Sequence, residues 1–273
     1  MPTKREPVYA FGEYTLAQGL RVYFRWHIEG LENVPRTGPA LVASNHISYL
    51  DGLSVAYAVN RAGRRPRFLA KASLFKVPVI GVALKAIGQI PVLRGTKDAP
   101  QSLEHAEAAL RRGEAVVVFI EGTTTTAPDL ALGKPKTGTA RLALATGYDV
   151  IPCATWGGQW VWTKHLGVNM RPRQDIWVRF GPPVSMAPWA GRESDRQAWQ
   201  QVSETVMGRI GGMLDELRQL KPWTPQAPTR KKFVAEQQAR AAAGAAAEPA
   251  RPEAPQPAAE HPAVEPASGV DPG

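Results

Sequence analysis

A histidine and an aspartate five positions apart are the residues of this sequence best placed to do chemistry. His46 follows a short apolar run, Pro39 to Ala43, that predicts a buried strand, and Asp51 precedes apolar residues at helical spacing. With Ser48 as the predicted N-cap of that helix, His46 lies in the turn and Asp51 in the first helical turn. The two side chains can then touch. The carboxylate would orient the imidazole and leave its other nitrogen free to act as a general base.

This pair also has a purely structural interpretation. Ser48 and Asp51 are ordinary residues for capping a helix, and a histidine before a helix often serves only in the turn. The same spacing recurs at His27 and Glu32, in a segment that predicts an ordinary strand and its exit. The spacing alone therefore leaves both interpretations open.

Strands alternate with helices in the sequence, which predicts an α/β fold with a largely parallel central sheet flanked by helices. Ligand sites in such sheets gather at the carboxyl ends of strands. The strand that ends at Ile120 is a continuous apolar run of the fully buried type. Four polar side chains stand at or just past predicted strand ends: His46, Lys71, Arg94 and Glu121.

Composition limits the other classes of function. Lys and Arg outnumber Asp and Glu by 33 to 24, which favours an anionic partner such as a phosphate-bearing substrate, an anionic membrane or a nucleic acid. The single cysteine, Cys153, can form neither an internal disulfide nor a cysteine-based zinc site. No apolar run approaches the roughly 20 residues of a membrane span, and no signal peptide is recognisable. We therefore expect an intracellular protein that does not cross a bilayer.

The composition changes near Trp223. Residues 224–273 consist mainly of Pro, Ala, Glu, Gln, Lys and Arg, with almost no large apolar side chains. A segment of this kind cannot bury enough apolar surface to fold on its own. We therefore predict one folded domain over residues 1–223 and a disordered Pro/Ala-rich tail over residues 224–273.

Four short blocks, in this order, resemble those of the glycerolipid acyltransferases, specifically the lysophosphatidic acid acyltransferase branch. The family pattern consists of Asn-His-x-Ser-x-x-Asp, Gly-x-Ile-x-Val-x-Arg, Phe-Pro-Glu-Gly-Thr-Arg-Ser and Val-x-Pro blocks. Here the blocks run from Asn45 to Asp51, Gly88 to Arg94, Phe119 to Thr125 and Val150 to Pro152. The resemblance covers roughly residues 28–156. It implies that residues 1–223 form an acyltransferase domain with a glycerol-3-phosphate acyltransferase-like fold.

The resemblance also implies a role for the matching residues. His46 would deprotonate the hydroxyl of a lysophospholipid acceptor, which attacks the thioester of acyl-CoA or acyl carrier protein, and Asp51 would orient His46. The expected acceptor is 1-acyl-glycerol 3-phosphate, acylated at sn-2 to give phosphatidic acid, with another lysophospholipid or a glycolipid hydroxyl as the alternative. Neither a cofactor nor a metal is expected. The residues predicted to bind substrate are Lys71, Arg94, Glu121, Gly122, Thr123 and Lys136.

Two departures from the family pattern lie in the third block. Ile120 replaces the family proline, and Thr124 and Thr125 replace Arg-Ser. In the family this arginine helps to hold the phosphate of the acceptor, so its absence bears on the acceptor more than on the chemistry. Lys136 stands just before a predicted helix start, where backbone N–H groups favour anions, and could replace the missing charge.

Two other classes of protein stay open from the sequence. A serine hydrolase or thioesterase would use a nucleophile elbow, but no Gly-x-Ser-x-Gly motif is present. A non-catalytic basic module for a membrane or a nucleic acid is supported only by the charge. We expect an enzyme that lies peripherally on the cytoplasmic face of the cell membrane and binds no nucleic acid.

Overall fold

Short apolar segments of this chain pair into a central sheet. The computed structural model describes residues 18–78, 80–92, 99–163 and 167–224. In this part of the chain there are nine strands: β1 Arg25–Glu29, β2 Ala40–Ser44, β3 Pro66–Lys71, β4 Ile90–Val92, β5 Ala115–Phe119, β6 Val150–Trp156, β7 Trp162–Thr163, β8 Gly167–Val168 and β9 Asp175–Phe180.

Helices connect most of these strands. The α-helices are α1 Asp51–Arg61, α2 Ile80–Ala86, α3 Ala99–Arg111, α4 Gly138–Thr146 and α5 Arg196–Leu220, and residues 18–23 are also helical. Short 3₁₀ helices lie at Leu31–Asn33, Ala72–Lys76, Gly158–Trp160 and Ala187–Trp189. No helix among the described residues is both long enough and apolar enough to cross a membrane.

Seven strands form one sheet in the order β1-β9-β6-β2-β5-β3-β4, and β7 pairs with β8 in a separate hairpin. Every neighbouring pair in the large sheet is parallel except β6 and β9, which are antiparallel. The predicted α/β class with a largely parallel sheet is therefore confirmed. The antiparallel β9 was not predicted, because strand direction is set by the connection and not by the strand's own residues.

Strand β2 lies at the centre of the sheet, between β5 and β6, and all five of its residues are buried. Successive side chains of a strand point to opposite faces. Leu41 accordingly belongs to the core cluster that contains residues of α3, α4 and α5, whereas Val42 belongs to the cluster that contains residues of α1. Helices covering both faces explain why the strand reads as an uninterrupted apolar run.

The side chain of Asn45 continues the pairing of β2 with β6 after the main chain has turned away. The last paired residues are Ser44 and Cys153. Beyond them, Asn45 Nδ2 donates to the carbonyl of Thr155 at 3.0 Å, and Asn45 Oδ1 accepts from the N–H of Thr155 at 2.8 Å. The amide thus takes the place of a strand residue. The following residue, His46, can therefore leave the sheet without leaving the N–H and carbonyl of Thr155 unpaired.

One predicted boundary was displaced. Helix α1 begins at Asp51 with Leu50 as its N-cap, so Ser48 is not the cap that the sequence suggested. Its hydroxyl instead donates to Asp51 Oδ1 at 2.6 Å. Helix α5 begins at Arg196, where the side chain of Asp195 accepts from the N–H of Gln197.

The chain divides into two units, Met1–Ala227 and Pro228–Gly273. The second unit lies outside the described residues, as does nearly all of the predicted tail, residues 224–273. The disorder predicted for that segment stays a prediction.

Replacing Asn45 by alanine should destabilise the fold. Its amide is buried and serves both the N–H and the carbonyl of Thr155, which would be left without partners. We expect the free energy of unfolding in urea titrations to fall by about 2–4 kcal/mol, the usual scale for two orphaned buried groups. Asn60→Ala, at an exposed position of α1, is the matched control and should change it far less. Equal effects of the two substitutions would contradict the role given to Asn45.

Candidate active site

The carboxyl ends of three neighbouring strands bring the predicted residues to one edge of the sheet. His46 lies two residues beyond the end of β2, and Glu121 lies two residues beyond the end of β5. Lys71 is the last residue of β3, which pairs with β5. Because β2, β5 and β3 run parallel to one another, their carboxyl ends lie at the same edge of the sheet.

The carboxylate of Asp51 is fully buried and accepts four hydrogen bonds from the loop before α1. Its Oδ2 faces His46 Nδ1 at 3.1 Å and accepts from the N–H of Ile47 at 2.6 Å and the N–H of Ser48 at 2.7 Å. Its Oδ1 accepts from the hydroxyl of Ser48. A buried carboxylate without such donors would be strongly destabilising. These bonds therefore hold the loop in its conformation and stabilise the ionised carboxylate.

The imidazole of His46 is held on three sides. An ionised carboxylate can only accept, so Asp51 requires the proton of a neutral His46 to be on Nδ1. The unprotonated Nε2 faces the hydroxyl of Thr124 at 3.0 Å. The ring also stacks on Phe119, with centroids 4.1 Å apart and planes 16° from parallel. His46 is therefore oriented as a general base whose lone pair points at a hydroxyl group.

Glu121 ties the loop of His46 to a second loop. Its Oε1 accepts from the backbone N–H of His46 at 2.9 Å, and its Oε2 accepts from the N–H of Gly133 at 2.7 Å. The side chain is buried, so Glu121 is not a solvated loop carboxylate. Burial raises the pKa of Glu121, and the two N–H donors oppose that shift only in part.

A glycine allows the segment after β6 to approach this group closely. A Cβ added at Gly158 would lie 2.3 Å from Ser48 Oγ and 3.2 Å from Asp51 Oδ1. No other residue fits there without moving the buried pair. On the opposite side, the N–H of Thr125 donates to the carbonyl of His46 at 2.8 Å. The loop of His46 is thus enclosed by the segments that follow β5 and β6.

The other residues predicted to bind substrate differ in their position and exposure. Gly122 has a positive φ of 73°, and a Cβ added there would lie 3.3 Å from Lys136 Cγ, so the stem of Lys136 runs beside this turn. Thr123 and Lys136 are exposed. Lys71 is exposed at the end of β3 and is not joined to His46 by any hydrogen bond that the described residues make. Arg94 lies outside the described residues.

Three contributions to the site were not anticipated from the sequence. Thr124 had been noted only as a substitution, yet its hydroxyl faces the reactive nitrogen of His46. The stacking of Phe119 depends on the β2 and β5 register, which pairs Ser44 with Phe119. The close approach of Gly158 could not be found at all, because a glycine gives no sign of the space around it.

The described residues contain no group of three or more His, Cys, Asp or Glu side chains able to hold a metal ion. Cys153 is fully buried, and burial raises the pKa of its thiol to about 12. The thiol therefore stays protonated at neutral pH and is not a candidate nucleophile.

Fold and geometry together define an α/β protein with a histidine and aspartate acid/base pair at the carboxyl edge of its sheet. Residues 25–156 match the model of the acyltransferase family. That range contains β1 to β6 and the residues His46, Asp51, Glu121 and Thr124. This part of the chain, just under half of its length, is thus similar to the acyltransferase family.

Two named proteins are similar to this chain. A chloroplastic 1-acyl-sn-glycerol-3-phosphate acyltransferase of Arabidopsis thaliana is 34% identical over 137 residues, which are 50% of this chain and 37% of that protein. The 1-acyl-sn-glycerol-3-phosphate acyltransferase of Borreliella burgdorferi is 27% identical over 143 residues, 52% of this chain and 55% of its own length. The chain thus matches about a third to a half of the length of these relatives.

A solved structure supports the fold. The 1-acyl-sn-glycerophosphate acyltransferase PlsC from Thermotoga maritima superimposes with a TM-score of 0.59 and 21% sequence identity. The likeness covers 81% of this chain and 86% of that one. At this low identity, the structural likeness shows a shared architecture only. That architecture agrees with the glycerol-3-phosphate acyltransferase-like fold that the sequence blocks implied.

The raised pKa of Glu121 predicts a pH dependence of stability. Between the ordinary glutamate value of about 4.3 and the raised pKa, the folded protein binds more protons than the unfolded chain. The free energy of unfolding should therefore fall as the pH rises through this interval. Urea titrations at closely spaced pH values measure this slope, and Glu121→Gln should remove its contribution.

Glu104→Gln provides the control, because Glu104 is exposed on α3. This substitution should leave the slope as it is in the wild-type protein. An unchanged slope in Glu121→Gln would show that burial does not perturb this carboxyl group.

Proposed function

We propose that this domain transfers a fatty acyl group from acyl-CoA or acyl carrier protein to the sn-2 hydroxyl of 1-acyl-glycerol 3-phosphate, giving phosphatidic acid for phospholipid synthesis. The observation that carries the proposal is His46, whose Nδ1 is held by Asp51 and whose Nε2 faces a hydroxyl group. The names of the relatives support the choice of substrate, since those relatives are 1-acyl-sn-glycerol-3-phosphate acyltransferases.

In the proposed reaction, His46 Nε2 takes the proton of the attacking hydroxyl as its oxygen adds to the thioester carbonyl. The carbon–sulfur bond then breaks, and the departing thiol receives the proton from His46. Asp51 stabilises the imidazolium that forms between these steps and keeps its ring in place. The thioester and the hydroxyl supply every reacting atom, so the proposal needs neither a cofactor nor a metal.

The proposed binding of the acceptor phosphate rests on cations at this edge of the sheet. The family arginine is replaced by Thr124, which carries no charge. Lys136 is the described cation whose stem runs beside the Glu121–Gly122 turn, and it precedes the start of α4. We assign it to the phosphate, with Lys71 and Arg94 as further candidates. An uncharged position 124 also supports the alternative of a less charged lysophospholipid or a glycolipid acceptor.

We also propose that the domain works peripherally at the cytoplasmic face of the cell membrane. An exposed apolar patch, the hairpin surface, supports this assignment and comprises Tyr49, Trp162, Val168 and Met170. Tyr49 reaches it from the active-site loop, because its N–H donates to the carbonyl of Trp162 at 3.0 Å. Arg171 and Arg173 are exposed beside it. Aromatic side chains next to cations are typical of a surface that meets anionic lipid.

An acceptor panel tests the proposed function. Purified protein is given one labelled acyl-CoA and, in turn, 1-acyl-glycerol 3-phosphate, other lysophospholipids and a glycolipid, each in anionic and in zwitterionic vesicles. We expect fastest transfer to 1-acyl-glycerol 3-phosphate in anionic vesicles. His46→Ala should abolish transfer, and Asp51→Asn should slow it at least about 100-fold, the scale of acid/base catalysis.

Two results, one from the panel and one from a DNA-binding assay, would contradict the proposal. A folded His46→Ala variant with near-normal turnover would remove His46 as the base. Salt-sensitive binding to DNA without turnover of any acyl donor would favour a non-catalytic basic module instead.

Lys136→Ala should raise the Michaelis constant for the phosphate-bearing acceptor about tenfold while changing that for acyl-CoA little, because one charged contact to phosphate is lost. Steady-state kinetics with each substrate varied in turn measure the difference. Lys134→Ala is a matched control, since Lys134 is also exposed and lies two residues away. Equal effects on both substrates would exclude Lys136 from the phosphate site.

A further inference from the structure

We propose that Thr124 determines which hydroxyl group reaches the base. Its own hydroxyl holds the place of the acceptor hydroxyl on His46 Nε2 until an acceptor displaces it, and meanwhile it keeps water from that nitrogen. The inference rests on the proposed function and keeps its direct transfer of the acyl group. It adds a reason why the thioester is transferred to an alcohol and not hydrolysed.

His46 Nε2 can serve one hydroxyl group at a time. Asp51 Oδ2 lies 3.1 Å from His46 Nδ1 and keeps the proton of the neutral ring there, so Nε2 offers a single lone pair. Thr124 Oγ1 lies 3.0 Å from Nε2 and donates to it. An acceptor hydroxyl has to make the same contact with the base before its proton can be transferred. The acceptor and Thr124 therefore compete for one position.

The main chain on both sides of Thr124 is fixed to the loop of His46. Glu121 Oε1 accepts from the N–H of His46 at 2.9 Å, and the N–H of Thr125 donates to the carbonyl of His46 at 2.8 Å. The hydroxyl of Thr125 donates in turn to the carbonyl of Ala131 at 3.0 Å. An acceptor can therefore free Nε2 by rotating the side chain of Thr124 to another rotamer, with the main chain left in place.

Thr124 covers the accessible nitrogen of the base. The side chain of His46 is 18% exposed, but its Nδ1 faces the fully buried Asp51. Phe119 stacks on one face of the ring, with centroids 4.1 Å apart. Nε2 is thus the nitrogen that solvent can approach, and the partly exposed Thr124 lies against it.

An acceptor has binding energy with which to displace Thr124, and water has almost none. A water molecule that replaced the hydroxyl would exchange one hydrogen bond for another and gain little. A lysophospholipid also carries a headgroup and an acyl chain, and contacts to these remote groups can supply the free energy that rotates Thr124 away. A site that opens only when the correct substrate binds discriminates against a smaller competitor, which here is water.

The side reaction that Thr124 suppresses is hydrolysis of the acyl donor. In it, His46 Nε2 takes a proton from water, whose oxygen adds to the thioester carbonyl. The carbon–sulfur bond then breaks, the thiol leaves with the proton from His46, and a free fatty acid is released. Transfer and hydrolysis thus share the base and the thioester and differ only in the attacking oxygen.

The test measures hydrolysis and transfer separately in the full chain. Release of thiol and free palmitate from palmitoyl-CoA is followed without any acceptor, and transfer is then measured with 1-acyl-glycerol 3-phosphate varied. Thr124→Ala should hydrolyse palmitoyl-CoA roughly three- to tenfold faster than the wild-type protein, the scale of one hydrogen bond. Its Michaelis constant for the acceptor should fall by a similar factor, while that for palmitoyl-CoA stays unchanged. Merely structural damage would not lower a Michaelis constant.

Three further variants serve as controls. Thr124→Ser keeps the hydroxyl and should behave as the wild-type protein in both assays. Thr126→Ala, at a neighbouring exposed threonine, should do so as well. Thr124→Ala combined with His46→Ala should lose the added hydrolysis, because water is activated by the same base. Thermal unfolding of each variant confirms that it is folded.

Each contrary result has its own meaning. Wild-type hydrolysis and an unchanged Michaelis constant for the acceptor in Thr124→Ala overturn the role of Thr124 and leave the proposed function standing. A raised Michaelis constant for the acceptor also overturns it, since Thr124 would then bind the acceptor instead of competing with it. Added hydrolysis that persists without His46 does the same. The absence of transfer to every acceptor in the wild-type protein overturns the proposed function and this inference with it.

Discussion

The buried carboxylate of Asp51 is the interaction on which the active-site region depends. It has no exposure to solvent, and its charge is balanced by two backbone N–H groups, one hydroxyl and the ring of His46. Removing an ion from water is expensive, so the fold must supply these donors together or not at all. The loop between β2 and α1 therefore has one low-energy conformation, and the position of the base follows from it.

The sheet provides the second constraint. Because β2 is flanked by β5 and β6, the segments that leave these strands meet around a single loop. Glu121 bonds the main chain of His46 from one side, and Gly158 permits close approach from the other. The side chain of Asn45 continues the pairing of β2 with β6 at the point where the main chain leaves the sheet after β2. Rigid strands thus carry the site, and Glu121 and Asn45 form their hydrogen bonds with residues far away in sequence.

The sequence was sufficient to predict those features that depend on residues close together in the chain. The spacing of His46 and Asp51 around a helix start allowed their contact, and the apolar run before Glu121 identified a buried strand. Contacts that depend on register or empty space could not be read in this way. Thr124 lies 78 residues from His46, and only the parallel pairing of β2 with β5 brings them together. The cap was misassigned for a related reason, since Ser48 could bond either the helix or the carboxylate.

Glu121 and Asp51 hold the loop mainly through main-chain N–H groups, and those bonds do not require a particular side chain at position 46. Shape and reactivity are therefore encoded separately in this loop. A descendant of this chain could lose the imidazole at position 46 and keep the hydrogen bonds that hold the loop. One substitution could thus remove the acid/base pair while the conformation of the loop is retained.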